Sequence, residues 1–320
     1  MFDWIRPDQA AERLFGVVRR TPLLPFPTDD PRVELRVKLE CLQETGSFKA
    51  RGAWNNVSQL DERERAAGVV ATSSGNHGRA LAWAAARAGV PATVFMPADA
   101  YPNKIEACRA AGAEVVLLPT RQAAEDACAE RVAGGAVLIH PYDADRTIEG
   151  AGTVGLEIAR DWPDVEVVVI PVGGGGLIAG SSIALWREIG ELPIFGAEPE
   201  GAPTLASALQ AGRPVVQAEI TTSVQGLCPL ALGERNFDVC EELVEGAITL
   251  SDDEILAAQR RLVREGGWIV EPAGAAAVAA VLASVLPDEL FTHRDRADPV
   301  RVCCVVSGGN PDPAQLEALR

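Results

Sequence analysis

One stretch decides the fold of this chain: Val167-Val168-Val169-Ile170-Pro171-Val172-Gly173-Gly174-Gly175-Gly176-Leu177. The β-branched residues before the glycines predict a buried strand, and the residues from Leu177 to Trp186 predict a helix. A strand, a glycine loop and a helix in this order form a phosphate cradle, because several backbone N–H groups and the positive helix end face one anion. The same pattern also fits a tight turn or a dinucleotide loop. All three interpretations stay open at this point.

The longer stretch 167–186 is uncharged and long enough to suggest a transmembrane helix. Pro171 and the four glycines would break such a helix. We therefore interpret the stretch as a buried strand, a loop and a helix, and we expect no membrane segment.

Short β-branched runs alternate with alanine-rich helical stretches along much of the chain. Strand and helix are predicted in the pairs 69–72 and 76–87, 92–96 and 103–111, and 114–118 and 121–132, with later strands at 165–170, 193–197 and 301–306 and a helix at 273–286. This rhythm predicts an α/β fold in which mainly parallel sheets are flanked by helices. Residues 68–144 hold compact βα units of their own. We therefore expect a small lobe at 68–144, a large lobe formed by 1–67 and 145–320, and a site in the cleft between them.

Composition and charge limit the class of partner. The 320 residues include 45 acidic and 29 basic side chains, for a net charge of -16. This charge opposes binding to nucleic acid or to an anionic membrane, so a small substrate is expected. The seven cysteines form no CxxC pair, and the first twenty residues do not resemble a signal peptide. We expect a reduced, cytoplasmic protein without a zinc site.

Two further fragments supply groups that pyridoxal phosphate would need. They are Thr45-Gly46-Ser47-Phe48-Lys49 and Ser307-Gly308-Gly309-Asn310. The cofactor needs an amine for a Schiff base, N–H groups for its phosphate and a partner for its ring nitrogen. Lys49, the glycine loop and Ser307 supply one each. The three fragments together indicate a pyridoxal phosphate site.

The chemistry of Lys49 and Ser307 gives two expectations. We predict that a helix begins near Ser47 as its N-cap, and that the helix dipole lowers the pKa of Lys49. A serine beside the ring nitrogen leaves the ring largely neutral, whereas an aspartate would protonate it. A neutral ring favours loss of a β-leaving group over transamination.

A run of small polar residues follows the predicted strand 69–72. It reads Ser73-Ser74-Gly75-Asn76-His77-Gly78 and begins another predicted helix. Amides at a helix start could hold a carboxylate. An N-cap with a neighbouring histidine is the alternative interpretation for any single residue of the run.

In this order, the motifs resemble the pyridoxal phosphate enzymes of fold type II, the tryptophan synthase β-like fold. The resemblance is to the branch of serine/threonine dehydratases (threonine ammonia-lyases) and serine racemases. It extends from Arg20-Thr21-Pro22-Leu23 to Ser307-Gly308-Gly309-Asn310 and includes Glu271-Pro272. Cysteine and threonine synthases typically carry Thr at the position of His77, which favours the dehydratase branch.

The resemblance implies a role for each matching residue. Lys49 would form the Schiff base and take the α-proton, and Ser74 occupies the position of the opposite-face acid/base in racemases. Cofactor-binding roles fall to Phe48, Lys49, Asn76, Gly173, Gly174, Gly175, Gly176, Leu177, Glu271 and Ser307. Substrate-binding roles fall to Ser73, Ser74, Gly75, His77, Tyr142 and Gly226. Asn76 would bond to the 3-hydroxyl of the cofactor, and Phe48 would pack beside its ring.

Three positions depart from the pattern of the branch. Arg79 stands where many members have Gln, and Tyr142 stands where racemases tend to have Asn, which argues against racemisation. Glu198 and Ala202 match a divalent-cation site. Thr204 replaces its expected acid there, which weakens a site for a divalent or monovalent cation.

The resulting hypothesis is β-elimination of L-threonine or L-serine to 2-oxobutanoate or pyruvate and ammonia. The alternatives are a serine racemase and a dehydratase of another β-hydroxy amino acid, such as 3-hydroxyaspartate or a hydroxyectoine-derived one. A nicotinamide-dependent oxidoreductase is a remote alternative that leaves Ser47-Phe48-Lys49 unexplained, and a cofactor-holding protein without turnover is another. The resemblance also implies a homodimer or homotetramer. Because the chain ends ten residues after Asn310, no regulatory domain of the biosynthetic threonine dehydratases is expected.

Overall fold

The computed structural model describes residues 2–319 and contains two sheets. The strands are β1 (Leu23–Pro25), β2 (Val33–Lys38), β3 (Val69–Thr72), β4 (Ala92–Pro97), β5 (Glu114–Leu118), β6 (Val137–Leu138), β7 (Val167–Pro171), β8 (Ile194–Pro199), β9 (Gly246–Leu250) and β10 (Val300–Val305). The helices are α1 (Pro7–Leu14), α2 (Lys49–Val57), α3 (Glu62–Ala67), α4 (Asn76–Ala88), α5 (Pro102–Ala110), α6 (Arg121–Ala133), α7 (Asp145–Asp161), α8 (Gly176–Glu188), α9 (Thr204–Ala211), α10 (Glu234–Leu243), α11 (Asp252–Arg264), α12 (Pro272–Leu282) and α13 (Pro313–Leu319). Single 3-10 turns lie at Glu40–Leu42 and Asp288–Phe291.

The larger sheet has six strands in the order β1-β2-β10-β7-β8-β9. All neighbours are parallel except β1 and β2, which are antiparallel. Every residue of β7 is buried, because helices cover both faces of the sheet. A strand buried on both faces needs a continuous apolar run rather than an alternating one, and the valines that begin at Val167 provide it.

The smaller sheet has four parallel strands in the order β5-β4-β3-β6. Its strands all come from one continuous segment between Val69 and Leu138. Its own hydrophobic core includes Leu81, Val94 and Met96. The predicted α/β class with two mainly parallel sheets is confirmed, while the exact lobe boundaries stay a prediction.

The uncharged stretch around the glycines is divided in the structure. It forms β7, a loop and α8, as the sequence predicted. Among the helices of residues 2–319, none combines the length and the apolar character needed to cross a membrane.

Candidate active site

A cavity of about 460 Å³ lies where β3, β4, β7 and β10 end. Sites of parallel α/β proteins form at the carboxyl ends of the strands, because loops and helix starts gather there. The cavity is lined by all the residues for which the sequence predicted catalytic, cofactor-binding or substrate-binding roles, namely Phe48, Lys49, Ser73, Ser74, Gly75, Asn76, His77, Tyr142, Gly173, Gly174, Gly175, Gly176, Leu177, Gly226, Glu271 and Ser307. The fold therefore brings fragments together that are more than 250 residues apart in sequence.

Backbone pairing sets Lys49 beside Ser307. Ser47 forms an antiparallel bridge with Gly308, and the Phe48 amide donates to the Ser307 carbonyl at 3.1 Å. The helix α2 consequently begins at Lys49 itself, with Phe48 as its N-cap residue. The prediction of Ser47 as N-cap is wrong, because its backbone is used in this pairing and its buried hydroxyl has no partner within residues 2–319.

Buried charges attach α2 to the larger sheet. The guanidinium of Arg51, two residues after Lys49, donates to Glu40 and to Glu157 at 2.7 Å each. Lys38 on β2 donates to the same Glu157 at 2.6 Å. Removing one partner of a buried ion pair typically costs about 3–5 kcal/mol. This network therefore resists movement of the turn that carries Lys49.

The amine of Lys49 lies in the cavity lining between Pro141 and Phe48. Its Nζ donates to the carbonyl of Pro141 at 2.7 Å and lies 4.8 Å from the centroid of the Phe48 ring. Burial lowers the pKa of this amine from 10.5 to about 8. The direction agrees with the prediction, and its cause in the structure is loss of water around the buried charge.

The lowered pKa of Lys49 predicts how the apoenzyme captures an aldehyde at different pH values. Only the neutral amine attacks a carbonyl, and an amine with a pKa of about 8 is neutral above that pH. We expect the rate of capture to rise about tenfold per pH unit below pH 8 and to level off above it. Stopped-flow absorbance with pyridoxal phosphate measures this rate. A rate that keeps rising to pH 10, as it does for free lysine side chains, would contradict the prediction.

Three of the four glycines are required by close approach to neighbouring groups or by backbone conformation. A Cβ on Gly174 would lie 2.2 Å from the ring of Tyr142, and one on Gly176 would lie 2.6 Å from the Tyr142 carbonyl oxygen. Gly175 has a φ of +91°, which side chains disfavour. The loop therefore has no room for side chains at these three positions.

Two side chains hold the carbonyls of this loop. Asn236 Nδ2 donates to the Gly174 carbonyl at 2.7 Å, and the Thr204 hydroxyl donates to the Gly173 carbonyl at 2.7 Å. The first amides of a helix have no partner inside the helix, so those at the start of α8 are available to an anion. The loop therefore has the properties of a phosphate cradle.

The polar run after β3 uses its side chains in different ways. The Ser73 hydroxyl accepts hydrogen bonds from the Gly75 and Gly78 amides at 3.3 and 3.1 Å, which shapes the turn into α4. The His77 ring bonds through Nε2 to the Ile139 carbonyl at 2.7 Å, so this nitrogen carries the proton. Burial lowers the pKa of His77 to about 3, and the ring is neutral. Ser74, in contrast, is exposed to the cavity.

Ser307 and Glu271 also line the cavity. Ser307 is 5% exposed, and its hydroxyl is 3.4 Å from the Ala273 carbonyl, a weak contact. Glu271 accepts a hydrogen bond from Asn76 Nδ2 at 2.5 Å. Burial raises the pKa of Glu271 above its ordinary value.

The cation site that was predicted at Glu198 and Ala202 lies outside the cavity lining. The two carboxylate oxygens of Glu198 accept the amides of Leu205 and Ala206 at 2.9 and 2.8 Å. Burial raises the pKa of Glu198 to about 7. Among residues 2–319, no three His, Cys, Asp or Glu side chains are grouped so that they could hold a metal. Both oxygens of Glu198 therefore accept amides at the start of α9, and the cation site stays a prediction.

Sequence reasoning missed several residues of the cavity wall. They are Asp99, Tyr101, Lys104, Arg121, Glu125, Gln225 and Cys228. Asp99 follows β4 and Arg121 follows β5 at the edge of the sheet where sites form. That position in the strand–helix pattern was a usable signal for both.

Comparison with known proteins decides the family. A family profile described as pyridoxal-phosphate dependent enzyme matches residues 14–308. The chain belongs to this family of pyridoxal-phosphate dependent enzymes. The L-threonine ammonia-lyase of Thermotoga maritima is 37% identical over 315 residues, which are 97% of this chain and 76% of that protein. The serine racemase of Oryza sativa subsp. indica is 33% identical over 308 residues, which are 95% of this chain and 89% of that protein.

Solved structures agree with the sequence relatives. The processed form of threonine deaminase isoform 2 from Solanum lycopersicum has a TM-score of 0.89 at 33% identity, covering 98% of this pyridoxal-phosphate dependent enzyme and 92% of that chain. The predicted fold type II, the branch of threonine ammonia-lyases and serine racemases, and the predicted cofactor are confirmed. The glycine loop is therefore part of a pyridoxal phosphate enzyme rather than of an oxidoreductase that binds a dinucleotide.

Proposed function

We propose that this enzyme eliminates the β-hydroxyl of L-threonine or L-serine, releasing ammonia and 2-oxobutanoate or pyruvate. The observation that carries the proposal is the pairing of the Lys49 turn with the Ser307 strand end, since the Phe48 amide and Ser307 carbonyl are 3.1 Å apart. The turn that carries the amine is thereby paired with the strand end that carries a neutral hydroxyl. One relative is named a threonine ammonia-lyase and another a serine racemase. Both names agree with a β-hydroxy amino acid as substrate.

The residues present fit the cofactor. The amine of Lys49, with its pKa of about 8, suits bond formation with an aldehyde. The glycine loop suits the phosphate, and Asn76 and Ser307 suit the ring hydroxyl and ring nitrogen. When bound, pyridoxal phosphate supplies an electron-withdrawing ring that makes the substrate α-proton acidic.

Lys49 would take that α-proton as a general base. Its buried position keeps it neutral, and therefore basic, above about pH 8. The Pro141 carbonyl, which accepts from Nζ at 2.7 Å, gives the released amine a fixed resting position.

The substrate carboxylate would lie at the start of α4. Amides at this helix end and the hydroxyl of Ser74 provide donors for it. His77 would contribute through its backbone, because its ring is bonded to Ile139. The small lobe, 68–144, would move as a unit to close over the bound substrate and exclude water.

Substituting Ser307 by aspartate should redirect the reaction. A carboxylate beside the ring nitrogen would keep it protonated and stabilise the carbanion. We expect transamination or racemisation to rise severalfold relative to elimination, measured by chiral chromatography and oxo-acid assay. Ser307→Ala is the matched control, because it removes the hydroxyl without adding charge. Equal product ratios for both variants and the unaltered enzyme would contradict this role of Ser307.

The test of the function is an absorbance spectrum of the holoenzyme while L-threonine or L-serine is added, with 2-oxo acid release followed in parallel. Spectral change with oxo-acid release from either substrate supports the proposal and ranks the two. A visible band without reaction of either substrate overturns it. Analysis of the L-serine samples for D-serine tests the racemase alternative. The same assay with 3-hydroxyaspartate as substrate tests the alternative of a dehydratase for another β-hydroxy amino acid.

We also propose that the enzyme is cytoplasmic and forms a homodimer or homotetramer. All seven cysteines are unpaired in the structure, as expected in a reducing compartment. Phe15 is 88% exposed and Trp4 is 55% exposed, which leaves apolar surface that association would cover. Light scattering of the purified protein measures the number of subunits.

A further inference from the structure

A series of hydrogen-bonded side chains connects Arg79 to the cavity. Arg79 Nη1 donates to Asn310 Oδ1 at 2.6 Å, and Asn310 Nδ2 donates to Asn76 Oδ1 at 2.8 Å. Asn76 Nδ2 in turn donates to Glu271 Oε1 at 2.5 Å. Arg79 lies on α4, and Asn310 follows β10 in the larger sheet. The series therefore joins elements of the two sheets. It includes Asn76, the residue proposed to contact the cofactor ring.

Arg79 and the Thr45 carbonyl set the direction of this series. A guanidinium carries donors only, so the Asn310 atom that faces it has to be the amide oxygen. The Asn310 nitrogen then faces Asn76 and the Thr45 carbonyl, to which it donates at 2.9 Å. The atom of Asn76 that receives this bond is its oxygen, and the Asn76 nitrogen is left to face Glu271.

Packing alone cannot select this direction. A Cβ on Gly46 would lie 2.5 Å from Asn310 Oδ1, so the amide is closely packed. An amide oxygen and an amide nitrogen are nearly the same size, however, and hydrogen-bond partners decide which is which. Arg79 and the Thr45 carbonyl are the partners that decide it for Asn310.

We infer that Arg79 is a positioning residue that makes Asn76 a donor to the ring oxygen of the cofactor. The inference rests on the proposed function, in which Asn76 contacts that oxygen. An amide nitrogen has two protons: one is used by Glu271, and the second is available to the cofactor. Bonds in a series also polarise one another, so the positive charge of Arg79 strengthens Asn76 as a donor.

The test compares Arg79→Met, Arg79→Lys and Asn310→Asp with the unaltered enzyme. Arg79→Met removes the donor, whereas Arg79→Lys keeps a charged group that can only donate. Asn310→Asp keeps the contact with Arg79 but cannot donate to Asn76, so Asn76 is expected to turn its oxygen toward the cavity. Equilibrium dialysis measures the dissociation constant of pyridoxal phosphate, and absorbance measures how the bound cofactor divides between its visible and near-ultraviolet forms.

We expect Arg79→Met and Asn310→Asp to weaken cofactor binding about tenfold. The near-ultraviolet fraction should rise in both, because a donor to the ring oxygen stabilises its charged form, which absorbs visible light. Arg79→Lys should stay near the unaltered enzyme in both measurements. Unchanged binding and spectra in Asn310→Asp would overturn the inference, even if Arg79→Met failed to fold. It would also be overturned if Arg79→Lys matched a folded Arg79→Met, or if the unfolding temperature fell while the spectrum stayed constant.

These readouts separate the inference from the proposed function. If the unaltered enzyme binds pyridoxal phosphate but releases no 2-oxo acid from L-threonine or L-serine, the proposed function fails. Cofactor affinity and spectrum still decide the role of Arg79 in that case.

Discussion

Lys49→Ala is expected to abolish turnover and to remove the visible absorbance of the bound cofactor. Lys49 is one of only three lysines in the chain. Lys38 is buried in an ion pair with Glu157, so Lys104 is the other lysine of the cavity wall. Alanine leaves no amine in the cavity lining between Pro141 and Phe48. The visible spectrum at saturating pyridoxal phosphate and the rate of oxo-acid release measure the two effects.

Lys104→Ala is the matched control for this substitution. Lys104 donates to Gln225 at 3.2 Å on another part of the cavity wall, and its loss should leave the visible band intact. Borohydride reduction followed by peptide mass spectrometry should place the modification on Lys49 in both the unaltered enzyme and Lys104→Ala. A visible band that persists in Lys49→Ala at full cofactor occupancy would refute the assignment.

Gly174→Ala is expected to have the second largest effect, on cofactor affinity. Its Cβ would lie 2.2 Å from the Tyr142 ring, so either the ring or the loop has to move. Overpacking of this kind costs about 1–3 kcal/mol, which corresponds to binding of pyridoxal phosphate weakened about 5- to 150-fold. Equilibrium dialysis against the cofactor measures the change.

Tyr142→Ala tests whether the Tyr142 ring is the group that excludes a side chain at Gly174. It removes the ring that the new Cβ would meet, so the double variant Tyr142→Ala with Gly174→Ala should recover most of the affinity lost by Gly174→Ala alone. Gly176→Ala differs, because its Cβ would lie 2.6 Å from the backbone oxygen of Tyr142. Tyr142→Ala should not rescue it. Equal rescue of both glycine variants, or of neither, would mean that another contact limits the loop.

The regular strand–helix pattern made much of the fold predictable. The strands at 69–72 and 114–118 match β3 and β5 at both ends, and the glycine loop lies between β7 and α8 as predicted. These elements are short runs rich in apolar residues and bounded by turn residues, so their signal is local. The strand β2 was not predicted, although the alternation of buried Val33, Leu35 and Val37 with Glu34 and Arg36 is the pattern of a half-buried strand.

The sequence also predicted many of the residues that line the cavity, but it did not predict the contacts among them. Ser47 has the chemistry of an N-cap, yet the pairing of its backbone with Gly308 overrides that preference. For Ser47, a contact distant in sequence decided between roles that a local pattern allows.

The sequence by itself determined which chemical groups this enzyme carries and in what order. The Lys49 amine, the glycine loop and the Ser307 hydroxyl are properties of the residues. It also determined the α/β class, because strand and helix periodicity are local. Only the tertiary structure decided that burial lowers the pKa of Lys49 to about 8, that the His77 ring bonds to Ile139, and that Arg79 orients Asn76 through Asn310. Burial and hydrogen-bond direction depend on which distant groups surround a side chain, and those neighbours are set only when the two sheets pack around one cavity.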